Sequence, residues 1–460
     1  MKCLLSDVAK AVDGRIQGDN VPLDGVSTDT RAIAAGQLFV ALKGERFDAH
    51  DFLAEAAEQG ASAILASCAD KLPAGLPAVL VDDTRLALGQ LAAAWRARFD
   101  IPVLAVTGSN GKTTTKEMIA AILKAAFDSK AGKPVLATQG NLNNDIGLPL
   151  TLLGLQPGHR AAVIEMGMNH PGEIDYLTRI GAPTVAVVTN AQRAHLEGMG
   201  DLDEVAREKG SIFNGLQAEG VAVINADDRY ADYWCESVAR TLPGRSILTF
   251  GIDRPADVRG IVSQYGLEMQ LHLASPQGGA EITLGTPGRH NARNAMAAAA
   301  ACLAAGVSLG AVARGLAAFG GVKGRLQRRA GEVGSIVLDD TYNANPDSVR
   351  AGIDVLAATI GRKILVLGDM GEIGEASAQY HDEVGGYARS QGIDLLFTLG
   401  DASRLAARNF GEGGRHFRTP EELVAALRPE LAPGATVLVK GSRFMKMERI
   451  ADAIASQEAA

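Results

Sequence analysis

Cysteine is scarce in this chain. Four in 460 residues, Cys3, Cys68, Cys235 and Cys302, stand apart, with no Cys-x-x-Cys pair and no Cys/His ligand spacing. That excludes a disulfide framework and a thiolate metal centre, and it suits reduced thiols. Basic clusters are also missing. The 53 acidic residues outnumber the 45 basic ones, the net charge is −8, and no Lys/Arg-rich run occurs, so nucleic acid is not an expected partner. The start, Met-Lys-Cys-Leu-Leu-Ser-Asp, meets polar residues too early for a signal peptide. A spanning segment is lacking too. Ala295–Ala313 carries no charge, but it is mostly alanine and is interrupted by Gly306, Ser308 and Gly310, which predicts two buried helices meeting at a turn. What remains is a cytoplasmic enzyme without membrane insertion, long enough for two to four domains, each with its own core.

What the chain does have is Ile101-Pro-Val-Leu-Ala-Val-Thr-Gly-Ser-Asn-Gly-Lys-Thr-Thr-Thr115. An apolar run with strand character stops at Gly108, a glycine-bounded turn follows, and a helical pattern runs from Lys112 through Ala126. Such a strand, loop and helix make a phosphate cradle. Glycines let successive N–H groups face phosphate oxygens, Lys112 reaches the β/γ phosphates, Thr113 offers a hydroxyl to Mg²⁺, and the helix start adds its dipole. The form is the short T-G-S-N-G-K-T. The longer G-x-x-x-x-G-K-[ST] would need glycine where Val106 stands.

Three regions separate on pattern. Residues 1–83 hold short mixed elements, with strands expected at Gln37–Leu42 and Ala63–Ala66. Residues 84–319 begin with a helix at Leu86–Arg98 and then repeat strand-like runs at Ala161–Glu165, Thr184–Thr189, Val221–Asn225 and Ile247–Phe250. Helical stretches between them imply a parallel sheet covered by helices. Residues 320–460 repeat the alternation at Ser335–Asp339, Lys363–Leu367, Leu395–Leu399 and Thr436–Val439. The glycine-rich Phe319-Gly-Gly-Val-Lys-Gly-Arg325 is the natural hinge.

Polar residues gather at the strand ends, where open α/β sheets carry ligands. Glu165 ends a buried strand in the sheet of the phosphate loop, as a Mg²⁺ ligand or as a solvent-facing carboxylate. His195 follows another strand, as a functional imidazole or a satisfied one. His290, Asn291 and Asn294 open the alanine-rich helix, suited to an adenine edge or, for Asn291, to capping. Arg325, after the hinge, would reach a γ-phosphate or remain on the surface. Asp339-Asp-Thr-Tyr-Asn-Ala-Asn-Pro346, Gly368-Asp-Met-Gly-Glu372 and Lys440-Gly-Ser-Arg443 are dense polar clusters. Lys209 closes a helix before Gly210, where its position alone makes it a solvated residue.

The segments TGSNGKTTTK, EMGMNHPGEI, AHLE, GRHNARNA, DDTYNANPDSV and LGDMGEIGE together resemble the Mur ligases, in that order and over nearly the whole chain. The loop alone would also admit folylpolyglutamate synthetases. TQGNLNNDIGLPLTLL and LGDMGEIGE resemble the D-alanyl-D-alanine-adding branch. The Asp-Asn-Pro-Arg signature of the diaminopimelate-adding branch is absent, Ala344-Asn-Pro-Asp347 standing instead. The resemblance implies an α/β chain of three domains. These are a small mixed α/β N-terminal domain binding the UDP substrate (1–83), a central parallel-sheet P-loop ATPase domain (84–319) and a Rossmann-like C-terminal domain closing on the site (320–460). It also implies roles. The backbone of Thr107, Gly108, Ser109, Asn110, Gly111, Lys112, Thr113 and Thr114 would hold ATP phosphates. Thr113, Glu165, His195 and a carbamylated Lys209 would hold two Mg²⁺ ions. His290, Asn291 and Asn294 would surround adenine, Asp340 the ribose and Arg325 the γ-phosphate. Ser27, Thr28, Asp29, Arg31, Lys43 (in Lys43-Gly-Glu-Arg46) and Asn345 would meet the other substrates. Lys112, His195, Lys209 and Arg325 would carry catalysis. The implied reaction is ATP-dependent amide formation through an acyl phosphate. UDP-N-acetylmuramoyl-tripeptide is the acid and D-alanyl-D-alanine the amine, in a monomer serving peptidoglycan precursor synthesis. The alternatives are a folylpolyglutamate-type synthetase and a nucleotide-switched binding protein without ligase activity.

Overall fold

The computed structural model describes residues 1–44, 46–127 and 132–456; Glu45 of the Lys43–Arg46 segment lies outside them. Three sheets carry the architecture. Five strands lie in the order Arg15–Gln17, Ala78–Leu80, Ala63–Ala66, Leu38–Val40, Val26–Ser27. Nine form the central sheet, and six form the C-terminal one.

Val103–Thr107 runs inside the central sheet, parallel to Ala161–Glu165 on one side and Val185–Val188 on the other. All five of its residues are buried, because helices cover both faces of a parallel sheet. The strand's period of two divides its side chains between two cores. Val103 and Ala105 join Leu88, Leu91 and Leu148, while Leu104 and Val106 join Met118, Ile119 and the alanine-rich helix. Fully burying one such aliphatic side chain contributes about 1.5–3 kcal/mol, so Ile119→Ala beneath the phosphate loop would cost about 2–5 kcal/mol.

The expected strands and helices form, with a helix at Thr84–Arg96 and paired helices at Arg289–Ala304 and Leu309–Ala317 around Gly306. Ala295 and Ala297 through Ala301 are wholly or almost wholly buried, so the first of these packs closely on its neighbours. The central sheet is parallel from Val135–Ala137 through Val258–Tyr265, as expected, and carries an antiparallel margin. Beyond Ser246–Gly251, the strand Val258–Tyr265 pairs antiparallel with Glu268–Ser275, which pairs antiparallel with Gly278–Leu284. Met269, Leu271 and Leu273 point inward while Gln270 and His272 face out.

The C-terminal sheet runs Gln327–Ala330, Ile336–Asp340, Thr436–Lys440, Lys363–Gly368, Leu395–Leu399, Gly414–Phe417, parallel except for its first pair. Its strand Ile336–Asp340 ends at Asp340, which lines the cavity bordered by the phosphate loop.

Candidate functional site

The phosphate loop is held open by its glycines. Gly108 and Gly111 have φ of +149° and +85°, and a Cβ on either would lie 1.8 Å from Thr189 Oγ1 or 2.1 Å from Asn294 Oδ1. Only glycine permits both the left-handed backbone and these approaches. Gly111 then caps the helix Lys112–Ala126, whose first N–H groups are free of intrahelical partners. Thr107 is fully buried and donates Oγ1–H to the Met166 carbonyl, so its side chain faces away from the cleft.

The loop borders a cavity of about 790 Å³, within the range of small-molecule sites. Ser109, Asn110, Gly111, Lys112, Thr113, Thr114, Glu165, His195, His290, Asn291, Asn294, Arg325, Asp340 and Asn345 all line it. The Lys112 ammonium donates to the Gly108 carbonyl at 2.7 Å. Burial lowers its pKa, opposed by the nearby Glu165 charge. Thr113 Oγ1 donates to Glu165 Oε2 at 2.8 Å, and Asn143 Nδ2 donates to Oε1 at 2.8 Å. Glu165 is thus buried and aimed at the loop; it does not face solvent. Arg325 Nη2 donates to Thr113 Oγ1 at 2.9 Å and stacks on Tyr342, so it is not a surface arginine.

His195 sits in left-handed backbone, φ +58°, with Nδ1 3.2 Å from Glu372 Oε2. Burial lowers its pKa, the Glu372 partner raises it, and Lys112 and Lys209 lower it further. Lys209 is 1 % exposed, against the solvated position expected from its place near a helix end. Burial carries its pKa well down, Lys112 adds to that, and among the described residues its amine makes no hydrogen bond or ion pair. Two amines and an imidazole thus lie near enough to influence one another, each disfavouring charge on the next.

On the far wall Asn291 donates Nδ2–H back to the Pro287 carbonyl, while Gly288 holds the cap position, so capping is not Asn291's role. Asn294 bonds Asn291 and leans on Gly111. Burial, then Lys440 and Arg293, push His290 down to about 4. Asp340 Oδ2 accepts from Lys440 at 2.6 Å; burial raises its pKa against that cation. Asp227 and Asp228 are fastened by backbone N–H groups, Glu173 by those of Asn169 and His170, and Asp145 by Arg85. Asn345 caps the helix Pro346–Ala357 through Ser348 and donates to Asn110 Oδ1 at 2.8 Å.

The predicted uridine-pocket group does not join this cavity. Ser27, Asp29 and Arg31 form their own cluster, with Asp29 held to about 2 by Arg31, and Thr28 and Lys43 lie on the same N-terminal sheet region. Residues that sequence reasoning missed are Asn143 and Arg193, while Glu372 stood in a polar cluster without a role. Arg193 grips Asp347 at 2.6 Å and Glu383 at 3.0 Å, and its backbone N–H donates to Asp347 as well. Asn143 had a signal in its amide-rich stretch Gln139–Asp145; Arg193 had none.

A phosphate loop of this kind works with Mg²⁺. Among the described residues no three His, Cys, Asp or Glu side chains gather as a metal cluster. The Glu165 carboxylate touching the Thr113 hydroxyl still supplies two hard oxygens beside the phosphate loop, and Mg²⁺ takes few protein ligands besides water and phosphate, so the donors fit. No helix of the described residues is long and apolar enough to cross a membrane.

Three family patterns cover the chain: Mur ligase family, catalytic domain, at residues 22–96; Mur ligase middle domain at 106–302; and Mur ligase, glutamate ligase domain, at 324–443. The UDP-N-acetylmuramoyl-tripeptide–D-alanyl-D-alanine ligase of Escherichia coli K12 is 43% identical over 98% of both chains. A crystal structure of MurF from Acinetobacter baumannii superposes with a TM-score of 0.91 at 36% identity, covering 98% of this chain and 99% of that one. MurF ligase from Thermotoga maritima in complex with ADP gives 0.80 at 28% identity, covering 93% and 96%.

Proposed function

The chain belongs to the Mur ligase family, and from that premise we propose that it joins D-alanyl-D-alanine to UDP-N-acetylmuramoyl-tripeptide at the expense of ATP. Full-length identity of 43% to a ligase of that name supports this acid and amine over a folate-type acid. The observation that carries the chemistry is the chain of contacts Glu165–Thr113–Arg325, which joins the phosphate loop to the adjacent strand of its own sheet and to the third region.

A carboxylate is a poor electrophile because it would have to expel oxide. Phosphorylation by ATP makes an acyl phosphate, the amine adds to its carbonyl, and the tetrahedral intermediate expels phosphate. The protein's task is placement and charge balance, worth on the order of 7–11 kcal/mol for well-oriented reactants. Loop N–H groups and Lys112 bind the β/γ phosphates, and Arg325 meets the γ-phosphate. Asn291, Asn294 and a neutral His290 face adenine; Asp340 accepts from ribose hydroxyls. Thr113, Glu165 and His195 would hold Mg²⁺, which when bound offsets phosphate charge. Lys209 fits carbamylation, because burial favours the neutral amine that takes up CO₂, and the resulting carbamate would supply a further oxygen ligand for a second ion. Ser27, Thr28, Asp29, Arg31 and Lys43 belong to the uridine end, and Asn345 to the side where the third region meets the substrate. Residues 1–83, 84–319 and 320–460 act as uridine-nucleotide, ATP and closing domains. Nucleotide-linked substrates support a cytoplasmic setting.

The test is ADP formation against a panel of UDP-muramoyl peptides and D-amino-acid dipeptides. Phosphate release should be slow until tripeptide and D-alanyl-D-alanine are both present. Equal release with and without the dipeptide would mean an ATPase or a switch.

A further inference from the structure

Eight acids line the cavity among the described residues, and seven are held by the cations or N–H and O–H donors described above. Glu372 is the exception. Its side chain is 63% exposed within the cleft, and its one partner is His195. That contact is 3.2 Å, and among the described residues no lysine or arginine pairs with the carboxylate. Lys112 lies close enough for the two charges to act on each other, which puts Glu372 at the phosphate-loop end of the cavity.

The backbone is arranged to aim it. Glu372 has φ +59°, a left-handed conformation that a non-glycine residue keeps only when its surroundings impose it. The imposition is visible on both sides. Met370 N–H donates to the buried His381 at 2.9 Å, Gly371 N–H donates to Ser442 Oγ at 2.7 Å, and Ile373 is buried. Strain concentrated on an exposed carboxylate, in a cleft whose other acids are committed, marks a site for a ligand cation.

Resting on the ligase reading above, we propose that Glu372 is the anchor for the ammonium group of the incoming dipeptide. An ammonium has three N–H donors and forms short charge-assisted bonds to a carboxylate. Anchored there, the nitrogen waits on the side of the cavity where the acyl phosphate forms, and an amine is selected over a hydroxyl.

A cycle of two enzymes and two ligands tests this. D-alanyl-D-alanine is compared with its analogue in which hydroxyl replaces the terminal amine, on wild type and E372Q, each checked by thermal melting. Wild type should favour the amine at least tenfold. E372Q should bind the two within about twofold of one another, with KM for the dipeptide raised at least tenfold and KM for ATP unmoved. Glutamine still offers an oxygen to His195, so if Glu372 only orients that ring, E372Q will discriminate as wild type does, and the proposal falls. Failure of the ligase reading looks different. Wild type would then give no hydroxamate when hydroxylamine is added with ATP and UDP-N-acetylmuramoyl-tripeptide.

Discussion

Arg193→Ala isolates the contact that holds the third region against the phosphate loop. The guanidinium makes close bonds to Asp347 and Glu383, both partly buried, and lies over the Tyr380 ring at 5.1 Å. Charged hydrogen bonds contribute about 1.5–3 kcal/mol each when buried and about 0.2–1 when exposed. Groups about a quarter exposed fall between, so two pairs give roughly 2–3 kcal/mol. The backbone N–H of residue 193 still donates to Asp347 in the variant, so the loss is that of the side chain alone. At about 1.4 kcal/mol per tenfold, the undocked population should rise roughly 30- to 150-fold. Small-angle scattering of the unliganded variant should then show a larger radius of gyration that nucleotide and tripeptide restore. Wild type in 1 M salt should move the same way, because the pairs are screened. Superimposable profiles for variant and wild type, at low and high salt, would refute the latch and the hinge at Gly320–Gly324 with it.

Lys112→Ala should melt like wild type yet release ADP about a hundredfold or more slowly, since no other loop residue carries a positive charge; near-normal release would remove the loop from the mechanism. Enzyme loaded with ¹³C-bicarbonate should show a carbamate resonance that Lys209→Ala lacks, and bicarbonate depletion should slow turnover until bicarbonate returns; an unchanged alanine variant would end that role. His290 is held neutral at about 4, so the folded state binds fewer protons than the unfolded chain and stability is lost as pH falls from about 6.5 towards 4. Urea titrations should show wild type losing about 2–3 kcal/mol more than His290→Gln between pH 7 and 4.5; equal losses would place the histidine elsewhere in the energetics.

Much of this was legible in the chain. Val103–Thr107, the loop and the helix that follows announce themselves through buried β-branched residues, paired glycines and a helical repeat, all local signals. Lys209 was not legible, because its short helix looks like an exposed one and only the fold reveals that Lys112 and His195 converge on it. The outer strands of the central sheet were missed although Met269, Leu271 and Leu273 alternate with Gln270 and His272. The role of Arg193 and the partner of Glu372 were invisible for a different reason. Each acts across a cleft between residues more than 150 positions apart, and nothing in a linear pattern encodes which surface arginine or loop glutamate will face a partner.

The buried alanines of Arg289–Ala304 act as a gauge block. Their methyl groups set how near that helix lies to Lys112–Ala126 and to the sheet, and its first two turns carry Asn291 and, against Gly111 of the loop, Asn294. A larger residue at Ala295 or Ala298 would displace the whole rod, and a shift of about 1 Å at a reacting site can cost a hundredfold in rate. The chain would still fold, yet the distance between the adenine wall and the phosphate loop would be wrong. Dimensional tolerance at this nucleotide cleft is therefore specified several residues away, by the smallest chiral side chain.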